Sequence, residues 1–425
     1  MIQVRRIENP KGVWRSAGNS DNFHVTLMRL PYDDAEDFKP FNSEGAWSAT
    51  IVEGGDDFIT LRSTVEGSGS DNAQQTGVKS IEGAGEHPID FWIDFKGSIA
   101  ENSTPRCAIV RVRYHNYTCE HDIYVRQGYA PITIDGNAES DKNPAWASYN
   151  VYCFDANNAP VYTKSPLEEG SLFRRGNRTA ILASNNDRPG FTFGLGPSGS
   201  FDVLELGATT PSQKTWSQLA PSADDVKSRF ASWSIAGDHE RIATIEDFYT
   251  LESTSIHSNI GKAYGVLYGD GATETQKSVE VALGYDHNED PTNSKKGMRG
   301  CFVFNINNSH NIFFPIGKSG YGRRKGMTSN GEKVGALRYA QRTDYYNNDG
   351  TGNIQYVPLF YDLFERPGAI YQCRNRLSST GSDVRKSSAF DINYFTMGFE
   401  GFENGASNNS DGSDSDACFI RTVKY

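Results

Sequence analysis

Strict alternation of apolar and polar residues marks the first part of the chain as a series of β-strands. The clearest pair is Arg106–Tyr114 and His121–Gln127, in which apolar side chains occupy every second position. A period of two turns one face of each strand toward a core and the other toward solvent. Pro88–Phe95 alternates in the same way. The sequence therefore predicts short strands with one buried face, joined by turns.

Turn residues and a polar stretch set the predicted domain boundary. The link His115–Thr118 is typical of a turn between two strands. After Gly128–Pro131 the chain is polar over residues 136–144. We therefore predict an immunoglobulin-like β-sandwich over residues 1–131 and a second domain over residues 132–425.

The second domain combines strands and long polar loops with one clear helix start. Thr244 can cap a helix with Asp247 three residues later, and an apolar stripe follows within Ile245–Leu251. The predicted fold class is mainly β with some α, an immunoglobulin-like sandwich followed by an α+β domain. Strands are expected at Cys301–Asn305, Ile312–Ile316 and Ala417–Val423.

The composition is that of a folded, acidic chain. Of its 425 residues, 37% are hydrophobic and 22% are charged, which is typical of globular proteins. The net charge of −11 argues against nucleic acid as a partner, because phosphate binding needs a basic surface. No apolar run approaches about 18 residues, so no membrane-spanning helix is expected.

The start of the chain and its cysteines bear on the compartment. Met1–Arg6 is not followed by the apolar core of a signal peptide, and we expect that a leader was removed, with a lipid anchor upstream as one option. The six cysteines are scattered without a Cys-x-x-Cys pair. This spacing fits neither a zinc ribbon nor a dense disulfide scaffold, and it leaves one or two disulfides open.

Three stretches of the first domain form one pattern: Trp47–Thr50, Arg106–Tyr114 and Ile123–Gly128. In this pattern residues 1–130 resemble a BACON-type immunoglobulin-like domain of gut-dwelling anaerobic bacteria. The resemblance implies a domain that binds a ligand or spaces its neighbour from the cell. We expect spacing, because Trp14 and Trp47 are typical of a sandwich core.

Five stretches of the second domain follow in order: Ser165–Asn177, Arg241–Phe248, Phe314–Tyr321, Gly335–Tyr339 and Phe419–Lys424. Here the chain from about Trp146 onward resembles the major-paralogous-domain family (FISUMP), which has a C-type-lectin-like fold. The family often ends in Val-Arg-Cys-Val, but Thr422 stands in place of that cysteine and Cys418 lies four residues earlier. The resemblance therefore carries no disulfide into this strand.

Such pairs of domains resemble surface lipoproteins and fimbrial tip subunits. The resemblance implies a non-enzymatic adhesin at the cell surface or outer membrane, with glycans, host or bacterial surface proteins or fimbrial subunits as partners. A glycan-binding module for polysaccharide capture and a hypervariable lectin-like binding protein are the alternatives. An enzyme ranks last, since Gly-x-Ser-x-Gly, His-Glu-x-x-His and P-loop motifs are missing, although a pair of acids for glycoside hydrolysis stays open.

Tyrosine and asparagine cluster in the late loops of the second domain. Tyr offers a rigid ring with one hydroxyl, and Asn offers a donor and an acceptor, so both suit recognition. Turn formation is the alternative use of these residues. The candidate ligand-binding residues are Tyr345, Tyr346, Asn347, Asn348, Asn393, Tyr394, Asn408 and Asn409.

Two groupings are candidate metal sites. An acidic loop offers calcium the carboxylates of Asp411, Asp414 and Asp416, and a solvated loop is the alternative; no other cofactor is expected. His115, Cys119 and His121 could hold zinc, but ordinary hairpin residues explain them better.

Gly194–Gly199 spells Gly-x-Gly-x-x-Gly, but the strand that follows in place of a helix argues against a dinucleotide site.

Overall fold

The protein forms two compact units. The computed structural model describes residues 10–29, 39–55, 57–63, 75–85, 88–168, 170–174, 177–182, 200–215, 218–219, 239–251, 259–271, 298–315, 341–343, 354–356, 368–372, 374, 388–393, 397–401 and 417–425. Unit 1 comprises Met1–Ala138 and Ser253–Phe314, and unit 2 comprises Glu139–Glu252 and Pro315–Tyr425. Residues 253–314, which we predicted to be part of the second domain, belong to unit 1, where the strand Ile260–Tyr268 pairs with the strand Pro10–Arg15.

The regular structure of the described residues is almost entirely β, which confirms the predicted mainly-β fold class. The immunoglobulin-like and lectin-like arrangements stay predictions. In chain order the elements are β1 (Pro10–Arg15), β2 (Phe23–Thr26), β3 (Met28–Arg29), β4 (Lys39–Pro40), β5 (Trp47–Gly54), β6 (Ile59–Ser63), β7 (Ser80–Gly83), β8 (Asp90–Phe95), β9 (Arg106–Tyr114), β10 (Cys119–Gln127), β11 (Ala145–Trp146), β12 (Val151–Phe154), β13 (Pro160–Tyr162), β14 (Ser171–Arg174), β15 (Ala180–Leu182), β16 (Ser200–Leu204), β17 (Ser212–Thr215), β18 (Glu240–Ile242), α1 (Ile245–Tyr249), β19 (Ile260–Tyr268), β20 (Met298–Asn305), β21 (Asn311–Pro315), β22 (Gln341–Thr343), β23 (Ile354–Tyr356), β24 (Gly368–Gln372), β25 (Ser388–Asn393), β26 (Met397–Gly401), β27 (Ala417–Cys418) and β28 (Thr422–Lys424).

Two sheets of unit 1 share one hydrophobic core. The larger has the strand order β21-β20-β19-β1-β10-β9-β5-β7, and the smaller has the order β2-β8-β6. The predicted alternation places Val110 and Val125 of the larger sheet and Phe91 of the smaller sheet in this core. Trp47 lies there too, and Trp14 is also fully buried, which confirms that both tryptophans are core residues.

Strands from residues 253–314 extend the larger sheet beyond β1. β1 pairs in parallel with β10 on one side and with β19 on the other. β20 then pairs antiparallel with β19, and β21 forms the edge. The N-terminal strand is therefore central, and unit 1 is assembled from two separate stretches of sequence.

The second face of the larger sheet is aromatic and buried where β10 and β20 contribute to it. The ring of Tyr124 stacks on Phe304 with centroids 4.4 Å apart and lies 5.4 Å from the ring of Phe302. Gly12 leaves room for this packing, because a methyl group there would lie 2.3 Å from Cε1 of Phe302. Both faces of the sheet thus contribute buried surface.

A buried arginine fastens the end of β10 to the edge of the sheet. Arg126 is fully buried, and its guanidinium carbon lies 4.5 Å from the ring centroid of Trp14. It donates hydrogen bonds to the carbonyls of Gly128, Ala130 and Asn311 at 3.2, 2.8 and 2.5 Å. Carbonyl groups of three separate residues therefore depend on one side chain.

Unit 2 is built from several small sheets. They have the orders β17-β16-β15-β14-β27, β11-β28-β18 and β24-β25-β26, together with the pairs β12-β13 and β22-β23. Phe173, Leu182 and Ile420 belong to one of its hydrophobic clusters. The predicted terminal strand is present as β27 and β28, separated by Phe419–Arg421.

Helix α1 begins at the predicted cap. The hydroxyl of Thr244 accepts from the backbone N–H of Asp247 at 3.2 Å, and the Asp247 carboxylate accepts from the Thr244 N–H at 2.8 Å. Phe248 and Leu251 are buried, whereas Tyr249 exposes 43% of its surface. In the described part of the chain we find no helix long and apolar enough for a membrane span.

Candidate functional site

The strands on either side of the predicted Tyr–Asn segment form an antiparallel hairpin. β22 pairs with β23 along its full length of three residues. Residues 344–353 therefore connect two strands of one hairpin. The candidates in this connection, Tyr345, Tyr346, Asn347 and Asn348, lie outside the described residues.

A second hairpin carries the next candidates. β25 pairs antiparallel with β26, and Asn393 is the last residue of β25, opposite Gly368 of β24. Only its backbone is described. Tyr394 follows in the connection to β26, and the stretch between β26 and β27 contains the remaining candidates. Those residues, Tyr394, Asn408, Asn409, Asp411, Asp414 and Asp416, lie outside the described residues.

The His–Cys grouping of the first domain is dispersed over one hairpin. Nδ1 of His115 accepts a hydrogen bond from the N–H of Glu44 at 2.8 Å, while Cys119 is exposed and His121 is buried. Among the described residues, no group of three or more His, Cys, Asp or Glu side chains could hold a metal ion. The four cysteines Cys107, Cys119, Cys153 and Cys301 are free thiols.

Unit 2 contains a carboxyl group with two hydroxyl partners, which the sequence analysis did not identify. Oε1 of Glu240 accepts a hydrogen bond from Oγ1 of Thr422 at 2.9 Å and another from the hydroxyl of Tyr162. The two hydroxyl oxygens also lie within hydrogen-bonding distance of each other. Thr422 is fully buried, whereas Glu240 and Tyr162 are half-buried. We call these three residues the carboxyl–hydroxyl cluster.

Strand register brings the cluster together. In the antiparallel pair of β18 and β28, Glu240 lies opposite Lys424 and Ile242 lies opposite Thr422. Because side chains alternate between the faces of a strand, Glu240, Thr422 and Lys424 share one face. Tyr162 reaches this face from β13, so strands distant in sequence contribute to one site.

Burial is the main electrostatic influence on Glu240. It raises the pKa of the carboxyl above its ordinary value, and the Thr422 hydroxyl and the Lys424 charge offset part of that rise. Within the described part of the chain, no donor hydrogen-bonds to Oε2 of Glu240. One carboxyl oxygen is therefore held in place by two hydroxyl groups, and the other has no hydrogen-bond donor among the described residues.

Arg241, on the opposite face of β18, holds the strand in place. Arg241 donates to both carboxylate oxygens of Asp247, at 3.1 and 2.7 Å, and also to Asp141. Its guanidinium carbon lies 4.3 Å from the ring centroid of Tyr425. Burial disfavours the charge, but hydrogen bonds and attraction to the two carboxylates outweigh it and raise the pKa of Arg241. The backbone that presents Glu240 is therefore tied to the start of α1.

The approach to β28 is fixed by a second buried arginine. Arg421 is fully buried and donates to Oδ1 of Asn150 and to the carbonyl of Ala147, both at 2.8 Å. Nδ2 of Asn150 in turn donates to the hydroxyl of Tyr371 at 3.1 Å. This network precedes Thr422 directly in sequence, so it fixes the backbone from which Thr422 contacts Glu240.

Comparisons with known proteins add little. No family model matches the chain, and no curated protein is similar to it. One solved structure with partial similarity is a family 123 glycoside hydrolase from Clostridium perfringens, studied for glycolipid glycan hydrolysis. The match has 10% identity and a TM-score of 0.16, and it covers 30% of this chain and 24% of that one. Similarity at that level supports no statement about fold or activity.

Proposed function

We propose that this chain is a non-enzymatic cell-surface binding protein of the adhesin or fimbrial tip type, with its ligand contacts in unit 2. The observation that carries the proposal is the antiparallel pairing of β22 with β23, which makes the Tyr345–Asn348 segment part of a hairpin connection. Connections held by paired strands are common positions for binding residues. Unit 1 then spaces unit 2 from the cell surface or outer membrane.

The chemistry of the connections supports recognition of glycans or glycoproteins. Tyrosine rings bring a large contact area at low entropic cost, and asparagine amides pair with hydroxyl groups. The carboxyl–hydroxyl cluster favours a glycan-binding module as the second candidate function, because Oε2 of Glu240 has no donor among the described residues and can accept from a ligand hydroxyl. Surface proteins of the host or of other bacteria, including fimbrial subunits, are the partners of the first candidate.

The test is a glycan and glycoprotein array probed with the purified chain, in calcium and in chelator. We expect saturable binding, reduced at least about tenfold by Tyr345→Ala or Tyr346→Ala if a stacked ring is lost. Tyr249→Ala is the matched control, because Tyr249 is an exposed tyrosine on helix α1 of the same unit.

Binding measured in chelator distinguishes calcium-mediated contacts from direct contacts of the tyrosines and asparagines. Loss of binding in chelator would assign the acidic residues Asp411, Asp414 and Asp416 to a calcium site, whereas unchanged binding would leave the tyrosines and asparagines as the contacts. A folded chain that binds nothing on the array would contradict the glycan-binding candidate and turn the search toward protein partners.

A further inference from the structure

We propose that Glu240 and Lys424 form a contact site for two neighbouring hydroxyl groups of a sugar ring. The inference rests on the glycan-binding form of the proposed function and names polar contacts within unit 2. One sugar hydroxyl donates to Oε2 of Glu240, and the adjacent hydroxyl accepts from Nζ of Lys424.

The first support is the fixed orientation of the carboxyl group. Thr422 and Tyr162 both donate to Oε1 of Glu240, from β28 and β13 respectively. The side chain is therefore held from two directions before any ligand arrives, and such preorganisation lowers the entropic cost of binding. Oε2 is left without a donor within the described residues.

The second support is that two opposite charges face each other without forming an ion pair. Glu240 and Lys424 are direct partners in the register of β18 and β28, and directly opposed residues have Cβ atoms only about 4.5–5.5 Å apart. Yet among the described residues the side chain of Lys424 makes no ion pair or hydrogen bond, and Lys424 is exposed. The Oε1 atom of the carboxylate accepts from Tyr162 and Thr422 instead.

The third support is that position 240 carries a carboxylate, although an uncharged side chain there would make the ligand-free protein more stable. Burial disfavours the ionised form of Glu240, as its raised pKa indicates. A glutamine could accept the same two hydroxyl hydrogen bonds without that cost. Groups that are unfavourable for the empty protein are typical of sites that interact with a ligand.

The pair of charges also selects the class of ligand. A simple anion or cation would be attracted by one member of the pair and repelled by the other, so it would gain little from the two together. A neutral ligand with adjacent donor and acceptor groups satisfies both, and the vicinal hydroxyls of a sugar have this property.

Titration calorimetry with the array's strongest glycan, supplied free in solution, tests the inference. Glu240→Gln and Lys424→Met are each expected to weaken binding about tenfold, because each removes a charge-assisted hydrogen bond. Glu139→Gln and Lys142→Met are the matched controls, since both residues are exposed in unit 2. Near-ultraviolet circular dichroism establishes that each variant is folded.

The outcomes separate this inference from the function on which it rests. A glycan bound equally well by wild type, Glu240→Gln and Lys424→Met would overturn the contact site and leave glycan binding by unit 2 intact. A folded wild-type chain that binds no glycan would overturn both. Selective loss in the two variants, with the controls unchanged, is the result we expect.

Discussion

At the scale of single residues, the cost of a half-buried charge is measurable without any ligand. Glu240 loses part of its hydration, and that loss raises the pKa of its carboxyl group. A carboxyl with a raised pKa contributes stability below its unfolded pKa of about 4.3 and loses that contribution as the pH rises through the folded pKa. The ionised residue therefore destabilises the folded protein near neutral pH.

Glu240→Gln should accordingly stabilise the protein at about pH 7.5, by up to about 1 kcal/mol once solvent screening is allowed for. The gain should disappear near pH 4, where the native carboxyl is protonated. The difference in stability is measured by thermal unfolding at both pH values, on wild type, Glu240→Gln and the exposed control Glu139→Gln. A variant less stable than wild type at pH 7.5 would show that burial is not the dominant influence.

Arg126 is the opposite case, because its buried charged side chain stabilises the fold by donating hydrogen bonds to neutral backbone carbonyl groups. Arg126→Lys removes the forked guanidinium that reaches the carbonyls of Gly128, Ala130 and Asn311. We expect a loss of about 2–4 kcal/mol in the free energy of unfolding, because buried carbonyls are left unsatisfied. Urea denaturation provides the value. Arg113→Lys, at a half-exposed position on β9, should change the free energy of unfolding little. Equal losses in both variants would contradict this role of Arg126.

Sequence reasoning could not find the carboxyl–hydroxyl cluster. Glu240 is one of 53 acidic residues, and its partners Tyr162 and Thr422 lie 78 and 182 positions away. Pairing at such distances leaves no local pattern. The Thr244–Asp247 cap was predictable because both halves of its hydrogen-bonding unit lie within four consecutive residues.

At the scale of elements, alternation predicted the strands of unit 1 and the pairing of β9 with β10, but not that β19, β20 and β21 join the same sheet. β8, β9 and β10 follow the predicted pattern, and Val110 and Val125 lie in the expected core. On β10 the alternation puts Tyr124 on the face opposite Val125, and Tyr124 is nevertheless buried, against Phe302 and Phe304. A period of two identifies one buried face, but it cannot show that a distant segment covers the other.

Gly12 tests that second face directly. Gly12→Ala should lower the free energy of unfolding by about 1–3 kcal/mol, because the methyl group would overlap the buried ring of Phe302. Gly18→Ala is the control, since a methyl group there meets no atom within 4 Å. Chemical denaturation compares the two. Equal stability of both variants would mean that β1 does not pack closely against β20.

At the scale of the whole molecule, unit 1 is completed only by residues from a later part of the chain. β19 pairs with β1, and β20 brings the rings that cover Tyr124. A polypeptide of residues 1–138 should therefore expose apolar surface, bind a hydrophobic dye and unfold at lower temperature than the same unit in the full chain. A cooperative, dye-negative 1–138 fragment of full stability would contradict this description.

The central claim is that unit 2 binds a surface ligand through its hairpin connections. The most direct measurement is a solution titration of the intact chain, and of its Tyr345→Ala/Tyr346→Ala double variant, with a glycan selected by the array. We expect saturable binding by the intact chain. Its affinity should fall at least about tenfold in the double variant and stay unchanged in Tyr249→Ala. Equal affinity in all three proteins would contradict it.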